Sequence, residues 1–170
     1  MQSKQLGNLG ESKALWKFIS LGIPVYIPFG DNEKADLVAE FGGKLNKIQV
    51  KTSDKIEDGK FEVSLKSSTI HNGVTYYHTY SKEEIDYFAL YNKESDILML
   101  VPISELENRT AVKISVPFKP SRNQHKSFNY LDYTFENVIS SAETLHEASF
   151  NKDEEKVQTT TDNSGHGNMM

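Results

Sequence analysis

The sequence has no cysteine, which excludes a disulfide scaffold, a thiolate zinc site, an iron–sulfur cluster and a cysteine nucleophile. No stretch approaches the roughly 18 apolar residues of a membrane span. The N-terminal MQSKQLGNLGESK has no apolar run of the kind a signal peptide carries, so a cytoplasmic chain without membrane partners is expected. Arginine is scarce: Arg109 and Arg122 are the only two, so guanine readout by bidentate arginine would be sparse. No internal repeat is present. His146 and His166 are too isolated for a metal-binding tail. His71 and His78 have no third His or Cys near them to complete a zinc site. Ser12 has no His/Asp arrangement to activate it. The Asn108-Arg109-Thr110 sequon reads as an accident of composition.

What is present suits one domain with a tail: 170 residues, 37% hydrophobic and 25% charged. The net charge of −5 is uneven. Residues 142–170 hold six acids and two lysines, which leaves 17 basic and 18 acidic residues elsewhere. A near-neutral body can still turn a basic face to phosphates, so charge neither supports nor excludes DNA. The expected division is a domain over 1–141 and an acidic, polar tail over 142–170, helical at first and disordered from about 149.

Hydrophobic periodicity predicts a helix over 10–21, with Ala14, Leu15, Phe18 and Ile19 as its stripe and Gly22 as its stop. Segment 23–29 reads as an edge strand because of its two prolines. Segments 35–41 and 44–53 alternate as strands around Gly42-Gly43, a strong hairpin signal. Segments 61–68 and 73–80 read as a second hairpin, and Ser81-Lys82-Glu83-Glu84 as a capping box opening a short helix. Strands follow at 86–92, 97–103 and 111–118, then a polar loop at 119–129 and a helical or irregular segment. The plan is α/β or α+β, a mixed sheet flanked by helices.

The Gly-Gly hairpin permits a geometric deduction. With a two-residue loop, Phe41 faces Lys44 and Asp36 faces Gln49. Lys51 shares Gln49's face because side chains alternate. Asp36, Gln49 and Lys51 therefore cluster, while Leu37, Ala39, Phe41, Ile48 and Val50 form a core face. Glu11 lies on the helix stripe, four residues before Leu15, and a carboxylate aimed at a sheet needs a cation, a donor or a metal. Each residue taken alone also has an ordinary role. Asp36 and Lys51 can be a cross-strand ion pair worth about 0.2–1 kcal/mol. Gln49 can be solvated, and Glu11 can favour the helix dipole.

Glu11, Asp36 and then Ile48-Gln49-Val50-Lys51, in this order, resemble the PD-(D/E)xK nuclease superfamily. Its pattern is a helical Glu, an Asp on the second strand and a (D/E)xK on the third. Two positions depart from it: Ala35 stands where the proline would be, and Gln49 replaces the acid. A QxK motif is similar to that of group I intron-encoded homing endonucleases, and the resemblance spans about 5–135. It implies a restriction-endonuclease-like core and a Mg²⁺-dependent DNA endonuclease, with Mn²⁺ as a substitute. Holliday-junction resolvase-like or repair nucleases, and a silent DNA-binding module of the same fold, are the alternatives.

In that reading Asp36, Gln49, the Val50 carbonyl and Glu11 hold the metal, and Lys51 orients the attacking water and stabilises developing charge. Losing one carboxylate at 49 should weaken metal affinity. Candidate phosphate and base contacts are Lys13, Lys17, Lys60, Lys66 and the cluster Lys119, Arg122, Asn123, Gln124, His125 and Lys126. Tyr76, Tyr77 and Tyr80 can stack on bases or pack across strands. Double-strand cleavage by a single-site chain needs a homo-oligomer, a dimer or tetramer.

Overall fold

The computed structural model describes residues 2–30, 33–119 and 128–162, with side chains through 152. The chain runs α1 (Ser3–Ser20), β1 (Val25–Tyr26), β2 (Leu37–Phe41), β3 (Lys44–Ser53), β4 (Lys60–Ser64), β5 (Lys66–His71) and β6 (Val74–Thr79). It continues with β7 (Tyr87–Asn92), β8 (Ile97–Pro102), α2 (Ile103–Leu106), β9 (Ala111–Ser115) and α3 (Phe135–Asp162). Five strands form a mixed sheet in the order β1-β2-β3-β7-β8. Among the described residues only the β3–β7 pair is parallel, and its connection carries β4, β5 and β6.

Alternation along the central strands divides the core in two. One face carries Ile48, Val50, Ala89 and Leu100, covered by Ala14 and Phe18 of α1 and by Phe135 and Ile139 of α3. The other carries Phe88, Leu90, Met99 and Val101, covered by Phe61, Val63, Val112 and Ile114 of the β4–β9 pair. A sheet covered on both sides explains why β7 and β8 read as continuous apolar runs. The mixed sheet flanked by helices is the fold class the sequence led us to expect.

The β2–β3 hairpin has the deduced register, with Phe41 opposite Lys44 and Leu37 opposite Ile48. Gly42 and Gly43 both take positive φ, as a two-residue turn with the strand twist requires. Buried Asn46 fixes this turn by donating its Nδ2 to the Phe41 carbonyl at 2.9 Å and the Lys44 carbonyl at 3.2 Å. Ala142 and His146 of α3 pack directly over the two glycines.

Four expectations need correction. Helix α1 begins at Ser3, because Gln2 and Gln5 form a capping box upstream of the apolar stripe, and Ile19 of that stripe is exposed. Segment 61–68 is split: β4 pairs with β9, and only β5 forms the hairpin with β6. The box at Ser81 closes on one side, Ser81 N–H donating to Glu84 Oε2 at 3.0 Å. It makes a single turn and no helix, because β7 begins at Tyr87. Finally, α3 is helical past 142, as expected, but also past the expected loss of order at 149, and continues to Asp162. Phe135, Val138, Ile139 and Ala142 form its packing stripe at three- and four-residue spacing, within a composition dominated by polar residues.

Gly42→Ala would place a Cβ 3.2 Å from the Ala142 carbonyl oxygen at a left-handed φ. A loss of about 1–2 kcal/mol is expected from the backbone alone. Urea titration should show a lower midpoint with an unchanged slope.

Candidate active site

The site sits where β2 leaves β3. Their pairing ends at Leu37 and Ile48, with one more bond from Asp36 N–H to the Ile48 carbonyl at 2.9 Å. Beyond it, the backbone of Val50 has no strand partner on that side. The half-buried Asp36 side chain takes the missing place, its Oδ2 accepting the Val50 N–H at 2.7 Å. Gln49, 7% exposed, donates its Nε2 to the same Asp36 oxygen and to the Val50 carbonyl, the latter at 3.2 Å. A carboxylate oxygen and a carbonyl oxygen thus converge on one positively polarised NH₂ group.

Glu11 reaches this point from the opposite side of the sheet. Its neighbour Gly10 is buried against β3, and a Cβ there would lie 2.0 Å from Thr52 Oγ1 and 3.3 Å from Val50 Cγ1. Only a residue without a side chain lets α1 approach this closely. Glu11 is exposed, yet partial desolvation and the Asp36 carboxylate raise its pKa. The Asp36 carboxyl is raised as well. Burial dominates, opposed by the Val50 N–H, the Lys51 ammonium and the Gln49 amide.

Lys51 lies on Gln49's face, half-buried. Its Nζ donates to Tyr80 Oη at 3.1 Å and sits 4.9 Å from the centroid of the Tyr80 ring. Tyr80 is held edge-on against Phe88, at 5.5 Å between centroids. Sequence reasoning missed Gly10 in this position, and it took Tyr80 as a base-stacking or cross-strand packing residue, where the structure buries it against Lys51. A glycine inside a helical run was a signal for Gly10. Nothing local marks Tyr80, which meets Lys51 across 29 positions of sequence.

The structure thus brings Glu11, Asp36, Gln49, Val50 and Lys51 together. The proposed DNA contacts are scattered. Lys13 pairs with Asp96 at 2.8 Å and Lys17 with Glu136. Lys66 lies over Tyr77 on β5, 4.6 Å from its centroid. Lys60 opens β4 and Lys119 is exposed beyond β9. Arg122, Asn123, Gln124, His125 and Lys126 lie outside the described residues.

The donor set suits a hard, oxygen-preferring cation. The Asp36 carboxylate and the Val50 carbonyl meet at the Gln49 amide, whose oxygen is reached by turning it over, and the Glu11 carboxylate lies near enough to feel the Asp36 charge. Among the described residues no group of three His, Cys, Asp or Glu gathers, here or elsewhere.

The PD-(D/E)XK endonuclease family model matches residues 1–136. Among solved structures, the bacterial homing endonuclease I-Ssp6803I is similar, with a TM-score of 0.65 and 18% identity over 83% of this chain and 95% of that one. At that identity the likeness speaks for the fold. No curated protein matches the sequence significantly.

Raised carboxyls favour the protonated folded state. Their contribution to stability is therefore lost as pH rises through the window between the ordinary carboxylate range and the raised values. Asp36→Asn keeps an oxygen for the Val50 N–H and removes the charge. The variant should melt higher than wild type at neutral pH without added metal. Its advantage should grow as pH rises above the ordinary carboxylate range, through the raised Asp36 value, and then level off.

Proposed function

Because this chain belongs to the PD-(D/E)XK endonuclease family, we propose that it is a Mg²⁺-dependent DNA endonuclease of the homing type, accepting Mn²⁺ in place of Mg²⁺. The observation that carries the reading is the convergence of Asp36 Oδ2, the Val50 carbonyl and the Gln49 amide at the β2–β3 divergence, with Lys51 beside them. The family's members generally act with divalent cations. A divalent cation held there would polarise the scissile phosphate and lower the pKa of water.

The remaining work falls to the chain's own groups. Asp36 supplies a full negative charge already oriented by the Val50 N–H, so little reorganisation is needed to hold a cation. Gln49 must turn its amide so that Oε1 replaces Nε2 towards the site. Glu11 adds a second carboxylate from the α1 side. The Lys51 ammonium orients the attacking water and offsets charge building on the phosphoryl oxygens. Tyr80 acts through Lys51 as a positioning residue, because its hydroxyl and ring face hold the ammonium in one place. Two strands are cut by two copies of the site, so we infer a dimer or tetramer. We propose a nuclease domain over 1–141, with the following turn of α3 still seated on it where His146 packs on Gly43.

One observation favours a second reading, a catalytically silent DNA-binding module. The Gln49 NH₂ occupies the place a cation would take and satisfies both oxygens without one.

Wild type, Lys51→Ala and Gln49→Glu should be incubated with pooled duplex DNA, with Mg²⁺ or EDTA, and the ends sequenced. The nuclease reading expects discrete ends that need Mg²⁺ and vanish in Lys51→Ala. Gln49→Glu should bind Mg²⁺ more tightly, lowering the concentration for half-maximal cleavage about tenfold or more, the span expected for a metal's supporting groups. Retained DNA without any ends supports the silent module. Undiminished cutting by Lys51→Ala refutes the site.

A further inference from the structure

The β5–β6 hairpin takes no part in the site or in either sheet that builds the core. It forms its own two-stranded sheet, and among the described residues no other strand pairs with it. Ile70, Val74, Tyr76 and Tyr77 are all more than half exposed. Two-stranded ribbons are marginal on their own, so one that is kept needs a reason.

Its charge is the first indication. Residues 63–82 contain no Asp or Glu, in a chain with 24 of them, and hold Lys66, Lys82, His71 and His78. Besides Ile70 and Val74, the ribbon otherwise offers Ser, Thr and Tyr side chains on its strands and Asn72 in its turn, which donate and accept hydrogen bonds. An acid-free ribbon with hydrogen-bonding side chains complements a polyanion that carries base edges. The major groove of B-DNA, about 12 Å wide, admits a two-stranded ribbon.

Its root is the second indication. Leu65, just before β5, is buried in the core, and Tyr80, just after β6, is the residue that holds Lys51. His78 bridges from the ribbon to both Tyr80 and Glu84, at 5.7 Å between ring centroids and 2.9 Å to the carboxylate. The ribbon therefore rises from beside the catalytic lysine. Its pairs Ser67–His78, Thr69–Tyr76 and His71–Val74 share the face that ends at Tyr80. Ser68–Tyr77 and Ile70–Thr75 lie on the reverse face, where Lys66 covers Tyr77.

We propose that this ribbon is a duplex-DNA arm that enters a groove next to the scissile phosphate, with the Thr69–Tyr76 face towards the base edges. The inference rests on the nuclease reading for the position of the cut. Six residues span about 20 Å, equivalent to about six base pairs at 3.4 Å each. The base pairs specified by the arm thus lie within about six of the cut, on one side of it.

The full-length chain is offered a pool of duplexes with a randomised stretch, first in EDTA for retention and then in Mg²⁺ for sequenced ends. Thr69→Ala/Tyr76→Ala is compared with the reverse-face control Ser68→Ala/Tyr77→Ala. All four positions are exposed, and circular dichroism checks that both variants stay folded. The arm predicts that the first variant loses about tenfold in retention of the sequences wild type selects, the size of one base contact, while the control changes less. In Mg²⁺ its remaining cuts lose sequence preference within about six base pairs of the ends. Retention that falls in the first variant, without cleavage by any protein, supports the arm and refutes the nuclease. Cleavage with unchanged preference in the first variant overturns the arm and leaves the nuclease standing. Equal losses in both variants overturn the face assignment, and neither retention nor cleavage by wild type overturns both.

Discussion

Everything in the site depends on how one carboxylate treats the end of a strand pair. Asp36 immediately precedes β2 at the open end of the β2–β3 pair, and its side chain takes over the hydrogen bond that the backbone can no longer make to Val50. That substitution lets the strands part without leaving a buried N–H unpaired, which would cost roughly 1–3 kcal/mol. It also fixes a negative charge at the edge of the core, where burial raises the carboxyl's pKa. The fold keeps a group that is costly when ionised, in a place where a cation would repay that cost. Stability is given up for function at such points.

The two layers over the sheet then converge on that edge. From one side, Gly10 lets α1 close on β3 and carry Glu11 to the same end of the strand. From the other, Tyr80 stands on Phe88 and steadies Lys51. The parallel β3–β7 pairing makes this possible, because its long connection passes over the sheet and returns Tyr80 beside Lys51 before β7 starts. That connection also carries the exposed β5–β6 ribbon. Chemistry and the proposed groove contact thus share one root, which ties the position of the cut to the position of reading.

Local signals were enough for the site's centre. Gly42-Gly43 set the loop length, loop length set register, and register put Asp36 opposite Gln49 with Lys51 on the same face. The helix stripe brought Glu11 to the sheet, although its true start at Ser3 lay in a polar stretch that apolar periodicity does not reach. Long-range features were illegible. The β4–β9 pair joins segments about fifty residues apart, so 61–68 read as part of a local hairpin. Tyr80's bond to Lys51 and Asn46's hold on the turn depend on tertiary placement and leave no spacing to read. In α3 the packing stripe is four residues among many polar ones, so the segment read as helical or irregular and its clamp on the Gly-Gly turn left no signal.

The central claim is that the Asp36–Gln49–Val50 junction takes a divalent cation, with the Gln49 amide turning over to admit it. Mn²⁺ titration followed by ¹⁵N NMR tests it most directly, because the paramagnetic ion broadens only nearby resonances. The account predicts selective loss of the Gln49 side-chain NH₂ and Val50 backbone signals at low Mn²⁺, and no such loss in Asp36→Asn. Broadening centred elsewhere, or equal broadening in Asp36→Asn, would contradict it.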